Sequence, residues 1–275
     1  MISAFDWTDF VVGEHRVICP QCGDKRTKNA GLKVDGDSAV LHCFRCGYTE
    51  SFRDKGNSIR RAPTIRPQRP PDQKQYTGLS PWGMALWKST VELSGVALAY
   101  LECRHCVAPP IYGDLRWHPA LKHPSGHVGP GLVALVSDIH TNEPLSLHRT
   151  WITPNGKAEV YPQRMQLAHH SLKNGVIRLW PDYELGYVLG ISEGIETGLS
   201  MAHAVQPVWA CMDAGHLEKF PVLPGVSELF IAQDADPAGA RATAACAARW
   251  HAAGRLVQIS SQPNGDLNDA LGGAQ

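Results

Sequence analysis

Charged residues make up only 19% of this 275-residue chain, and its 26 lysines and arginines are matched by 26 aspartates and glutamates. A net charge of zero argues by itself neither for nor against a nucleic-acid partner. Long apolar runs are missing. Nothing approaches the length needed to span a bilayer, and Met1-Ile2-Ser3-Ala4-Phe5-Asp6 offers neither a basic stretch nor an apolar core. A soluble, cytoplasmic protein with no membrane partner is therefore expected. No Gly-x-x-x-x-Gly-Lys-Ser/Thr occurs, which excludes a P-loop motor within this sequence. Eight cysteines in such a chain read as thiols or metal ligands rather than as a disulfide framework.

The charge that is present is unevenly spread. Residues 1–75 hold 13 Lys/Arg against 9 Asp/Glu, whereas residues 76–275 hold 13 against 17. Basic character thus gathers in the smaller part, where a phosphate-binding surface can form. That part contains Cys19-Pro20-Gln21-Cys22-Gly23 and Cys43-Phe44-Arg45-Cys46-Gly47, two Cys-x-x-Cys knuckles whose spacing suits a four-cysteine zinc site. Each pair can hold one ion through both thiolates, and tetrahedral Zn²⁺ takes four with no open position. Between the knuckles, alternating residues on either side of Asp35-Gly36-Asp37 read as a hairpin, so residues 1–56 are expected to form a zinc ribbon. Lys28 and Arg45 stand beside the knuckles as candidate nucleic-acid contacts, although charges on so small a module are exposed in any case. Residues 57–80 are rich in Arg and Pro and read as a solvated, semi-extended tether.

Residues 82–101 carry two apolar helical segments, and residues 131–136 and 145–152 read as an antiparallel strand pair around a turn at 140–143. Cys103-Arg104-His105-Cys106 has no second cysteine pair to complete a metal site, so a second zinc is not expected. The organising stretch lies further on. Two apolar runs, ending at Glu193 and at Asp234-Ala235-Asp236, each lead straight into a helix-like segment. Repeated units of that kind build a parallel sheet whose strand ends share one edge, which would bring the three carboxylates together. Like charges so gathered repel unless a cation sits among them, and hard oxygen ligands suit Mg²⁺ or Mn²⁺. Asp236 also has an ordinary local explanation, since an Asp before Pro237 is a common helix start.

The strings Ile191-Ser192-Glu193-Gly194 and Ala232-Gln233-Asp234-Ala235-Asp236-Pro237-Ala238-Gly239 resemble the TOPRIM domain of bacterial and phage DNA primases, topoisomerases and some nucleases. With the N-terminal cysteines, the chain resembles the zinc-ribbon TOPRIM primases. The resemblance implies an α/β fold, α+β overall: ribbon, then an antiparallel part of a primase core over 81–184, then a parallel TOPRIM part over 185–275. It implies catalytic Mg²⁺ on Glu193, Asp234 and Asp236. Gly265-Asp266-Leu267-Asn268-Asp269 is similar to a further acidic primase segment, with Asp266 the better match and Asp269 the fallback. Arg149 occupies the position of an arginine near template and nucleotide, and Arg164 falls in a segment similar to a basic one near the active site. The implied activity is synthesis of RNA primers from nucleoside triphosphates on single-stranded DNA, beside a replicative helicase acting in trans. The alternatives are a TOPRIM nuclease or an inactive nucleic-acid-binding accessory protein.

Overall fold

A computed structural model of the chain describes residues 5–22, 28–36, 38–53, 75–261 and 267–268. It divides into two compact units. The first is built on an antiparallel sheet of β1 (Gly13–Val17), β2 (Ala30–Asp35), β3 (Ser38–Cys43) and β4 (Thr49–Arg53), in sequence order. Strict alternation drives it: Ala30, Leu32 and Val34 of β2 and Ala39, Leu41 and Cys43 of β3 turn inward, while Lys33 and Val40 turn out. The buried face is small, and Cys19 and Cys43 are part of it. The tether of residues 57–80 lies outside the described residues up to 74. From Tyr76 onward, however, the chain is already packed: Tyr76 bridges to His170 and stacks on its ring at 4.9 Å. The core therefore begins several residues before the expected 81.

The second unit opens with α1 (Pro81–Lys88) and α2 (Val96–Cys103). Ser80 caps α1 by accepting from the Gly83 N–H, and Pro81 stands at its first position. There follow β5 (Leu115–Lys122), β6 (Val128–Asp138), β7 (Pro144–Thr153), β8 (Gly156–Lys157), β9 (Arg164–Gln166) and β10 (Gly175–Val176). The β6–β7 hairpin is the spine of this antiparallel sheet. β5 and β10 pair along one edge of it, and β8 and β9 along the other. Its two faces are both covered. Leu132, Ala134, Val136 and Ile152 join Ala97, Tyr100 and Leu101 of α2 in one cluster; Val133, Leu147 and Trp151 join Leu86 and Trp87 of α1 in another.

The last part alternates strand and helix: β11 (Val188–Ser192), α3 (Ile195–Met201), β12 (Val208–Ala210), α4 (Ala214–Glu218), β13 (Glu228–Gln233), α5 (Pro237–Ala252) and β14 (Leu256–Ser261). The strands are all parallel, in the order β12-β11-β13-β14. Leu189, Ile191, Leu229 and Ile231 pack with Cys246 and Trp250 of α5. The fold is the expected mixture of antiparallel and parallel sheets with an N-terminal cysteine cluster. Among the described residues, no helix is long and apolar enough to cross a membrane.

Candidate active site

In the first unit, the Sγ atoms of Cys19, Cys22, Cys43 and Cys46 all lie within 4.8 Å of one another. Cys19 and Cys46 are 3.7 Å apart and Cys22 and Cys43 3.5 Å. Thiolates placed tetrahedrally at a zinc–sulfur distance of about 2.3 Å would be separated by roughly 3.8 Å, so the donor set and its spacing fit a structural zinc. Burial pushes the Cys43 thiol up, but the backbone N–H groups of Arg45 and Cys46, which donate to its Sγ at 3.4 and 3.5 Å, help bring it down to about 7. Burial raises Cys19 and Cys22. The donated N–H groups thus favour the thiolate at Cys43, the form that a metal requires. Lys28 and Arg45 are exposed. Cys103 is exposed and Cys106 is buried, with its thiol donating to the Glu196 carbonyl at 3.6 Å; no metal-ligand group forms around them among the described residues.

In the second unit, Ser192 of β11 sits directly beside Ala232 of β13, so the chain leaves both strands on the same edge of the sheet. Glu193 and Asp234 follow there. A side-chain carbon built on Gly239, in the first turn of α5, would lie 3.0 Å from Glu193 Oε1, 3.2 Å from Asp234 Cβ and 2.8 Å from the Asp234 carbonyl oxygen. Both acids therefore border one small space that only glycine leaves open. The Glu193 carboxylate oxygen and the Asp234 carbonyl oxygen that border it are hard oxygen donors of the kind a divalent cation takes. Asp236 ends the same loop, immediately before Pro237 opens α5. Among the described residues, only the cysteines bring three or more ligand atoms within 4.8 Å of one another. Asp266 and Asp269 lie outside the described residues. Their neighbour Asn268 is 2% exposed and donates to the Ser200 Oγ at 2.9 Å and to the Arg104 carbonyl.

Glu193 also forms one wall of a narrow cleft whose opposite side is the antiparallel sheet, with His148, Thr150 and Arg164 lining it and Glu196 at its end. Arg164 stands directly across from Thr150 in the β7–β9 pairing, so the two share a face. Arg149, one residue off, points the other way. It lines a different groove beside α1, its guanidinium 5.4 Å from the Trp151 ring and donating to the Gln166 carbonyl at 3.2 Å. Arg149, expected near template and nucleotide, thus does not line the cleft that holds Glu193, whereas Arg164 does. The cause is the two-residue period of a strand, which sends neighbours to opposite faces.

Glu196 belongs to a buried polar network of its own. Glu196, in the first turn of α3, accepts from Lys157 Nζ at 2.7 Å and from the Tyr100 hydroxyl, with Arg104 at 3.9 Å. Burial pushes its carboxyl up, but the Lys157 ammonium and these hydrogen bonds outweigh that and hold it below the ordinary value. Glu196 is thus a paired acid joining α2, α3 and β8. His148 is pushed down to about 4, by burial first and then by the Arg164 charge, so it is neutral at pH 7.

Two family models match: residues 188–274 match the Toprim domain, and residues 78–179 match a domain of unknown function (DUF7146). No curated protein matches the chain. Among solved structures, the primase fragment of the bacteriophage T7 primase-helicase protein is similar over 95% of this chain and 96% of its own, at 16% identity and a TM-score of 0.43. The zinc-binding and RNA polymerase domains of the Aquifex aeolicus primase align over 96% of this chain and 77% of theirs, at 14% identity and a TM-score of 0.45. A DNA primase domain from Pseudomonas aeruginosa aligns over 57% and 52%, at 12% identity and a TM-score of 0.37. The acids at the ends of the neighbouring parallel strands thus fall within residues 188–274, the part of the chain that matches the Toprim domain.

Proposed function

We propose that this chain is a DNA primase-type nucleotidyltransferase that copies single-stranded DNA into short RNA primers. The observation that carries the reading is the Glu193–Asp234 space at Gly239, within a Toprim domain, on a chain that also bears a four-cysteine ribbon. Glu193, Asp234 and Asp236, with Asp266 from beyond the described residues, would hold Mg²⁺ or Mn²⁺. A divalent ion there would lower the cost of ionising the attacking 3′-hydroxyl and offset charge on the leaving pyrophosphate. Gly239 keeps the space between the acids clear. Arg164 is exposed on the cleft wall facing Glu193, where a guanidinium can neutralise phosphate charge. His148 beside it offers a neutral ring nitrogen and adds no second positive charge at neutral pH. Lys157 is spent on Glu196, so its part is to hold the cleft's end in place. Lys28 and Arg45 on the ribbon are candidate contacts to template phosphates, and a replicative helicase in trans would supply the unwound strand.

The deciding experiment is incorporation of labelled ribonucleotides on single-stranded DNA with Mg²⁺, comparing the full chain with Asp234→Ala. Template-dependent products from the wild type, lost in the variant while thermal stability is kept, are expected. Metal-dependent cutting of the DNA with no synthesis would replace this reading with the nuclease one.

A further inference from the structure

The groove that holds Arg149 is unconnected with the acids and has a chemistry of its own. Arg149 is only 7% exposed, yet among the described residues no carboxylate pairs with it: its hydrogen bond goes to the Gln166 carbonyl, and its Nε is buried without a partner. An arginine cannot shed its proton to escape such a position. A buried cation without a counter-charge is costly, and an anion arriving in the groove would relieve that cost. Three further features surround it. Trp82, near the start of α1, is 61% exposed, an unusual state for so large an apolar ring. Lys122, at the end of β5, is exposed on the same groove, and Leu86 and Ala120 give it an apolar floor. Among the described residues, no acidic one lines it.

We infer that this groove binds a single-stranded nucleic acid, with a base stacked on Trp82 and backbone phosphates met by Arg149 and Lys122. The pairing of an exposed indole with cations along an apolar floor is what sequence-tolerant binding of an unpaired strand uses: stacking for the bases, positive charge for the backbone. A nucleoside triphosphate fits less well. Its charge normally travels with a divalent cation, which needs oxygen ligands, and the groove walls have no carboxylate. The site lies across the β6–β7 sheet from Arg164 and Glu193, since Arg149 and Thr150 occupy opposite faces. It is therefore a holding site for a strand, separate from the place of chemistry, and it stands whether or not the chain synthesises primers.

The test is binding of a fluorescent oligo-dT by the zinc-loaded full chain, without nucleotide or magnesium, over a range of NaCl concentrations. Trp82 and Lys122 are surface residues, so their substitution leaves the fold intact, which circular dichroism checks. Trp82→Ala is expected to weaken binding roughly tenfold. Lys122→Ala is expected to make the slope of log affinity against log salt shallower by about 0.7, the loss of one phosphate contact. Photocrosslinking of a bromodeoxyuridine strand is expected on the peptide carrying Trp82. Asp234→Ala, which removes a proposed metal ligand, should bind and crosslink like the wild type, so a failed synthesis assay does not bear on this result. Unchanged affinity and salt slope in both variants, or crosslinks confined to the ribbon, would overturn the inference. Displacement of the strand by micromolar metal-free ATP would also overturn it, in favour of a mononucleotide site.

Discussion

The cysteine cluster and the cleft beside Glu193 gather polar side chains in opposite ways. The ribbon brings four thiols within 4.8 Å of one another, over a buried face of few residues. The cleft spreads its acids along the ends of adjacent strands, around a glycine, and a large apolar core supports them. A closed set of four soft ligands leaves no position for a reactant, whereas acids bordering an open space do. Removing a ligand should accordingly cost structure in the first region and chemistry in the second.

The largest effect is expected from Cys43→Ser. Structural zinc in such small modules contributes about 10–16 kcal/mol of folding free energy at neutral pH, more than the ribbon's core can replace. The variant should lose its one zinc equivalent by elemental analysis, and limited proteolysis should digest the residues before 54 while the core from about 76 survives. A ribbon that stays protease-resistant without zinc would erase the contrast between the two regions.

A smaller effect, within the core, comes from Lys157→Met. Lys157 and Glu196 form a pair at 2.7 Å, and their side chains are 21% and 11% exposed. Taking away the ammonium leaves a buried carboxylate held by Tyr100 and by Arg104 at 3.9 Å. Breaking such a pair by removing one partner costs about 3–5 kcal/mol, and the partial exposure places the expected value near the lower end. Adding Glu196→Gln should recover most of the loss in urea unfolding, because the stranded charge is gone. Equal destabilisation in the single and double variants would mean that lost packing, not the pair, sets the cost.

How far these sites could be read in advance follows from the range over which their signals act. The zinc ligands are legible because Cys-x-x-Cys is local and its repeat at a fixed distance is rare by chance. Glu193 and Asp234 are legible because each closes an apolar run that precedes a helix. Arg149 was not, for a physical reason: β7 is buried on both faces over most of its length, so the usual alternation of apolar and polar residues that marks a strand's inner side is absent. Nothing in the run from Leu147 to Trp151 tells which neighbour meets the Toprim domain. Glu196 is hidden for another reason, since its partners Lys157 and Tyr100 stand 39 and 96 residues away. β12, three residues long, is too short for any periodic signal. Asp266 and Asp269 fall outside the described residues, while Leu267 and the buried Asn268 between them lie within.

The smallest effect concerns how the cleft, unlike the ribbon, handles charge on a group that takes no metal. His148 titrates near 4 in the folded chain against an ordinary 6.5, because burial and the nearby Arg164, Arg149 and Lys157 cations disfavour its charged form, with Glu196 opposing them. The unfolded chain takes up the proton first as pH falls. The stability that His148 contributes is therefore complete above pH 6.5 and is lost progressively down to about pH 4. The whole separation corresponds to about 3 kcal/mol, of which roughly 2 kcal/mol falls between pH 7.5 and pH 5. Asp114 runs the other way: burial lifts it to about 6, against the pull of Arg178, so its folded form gains a proton before the unfolded chain does. The net pH dependence of the wild type mixes the two, and a variant is needed to separate them. Urea unfolding of His148→Gln at pH 7.5 and pH 5 should show a smaller loss on acidification than the wild type, by an amount approaching 2 kcal/mol. Arg164→Gln should recover part of the same difference, since it removes the largest of the charges that act on the imidazole. If His148→Gln changes with pH as the wild type does, His148 carries its proton in the folded state, and the cleft wall facing Glu193 is more cationic than described.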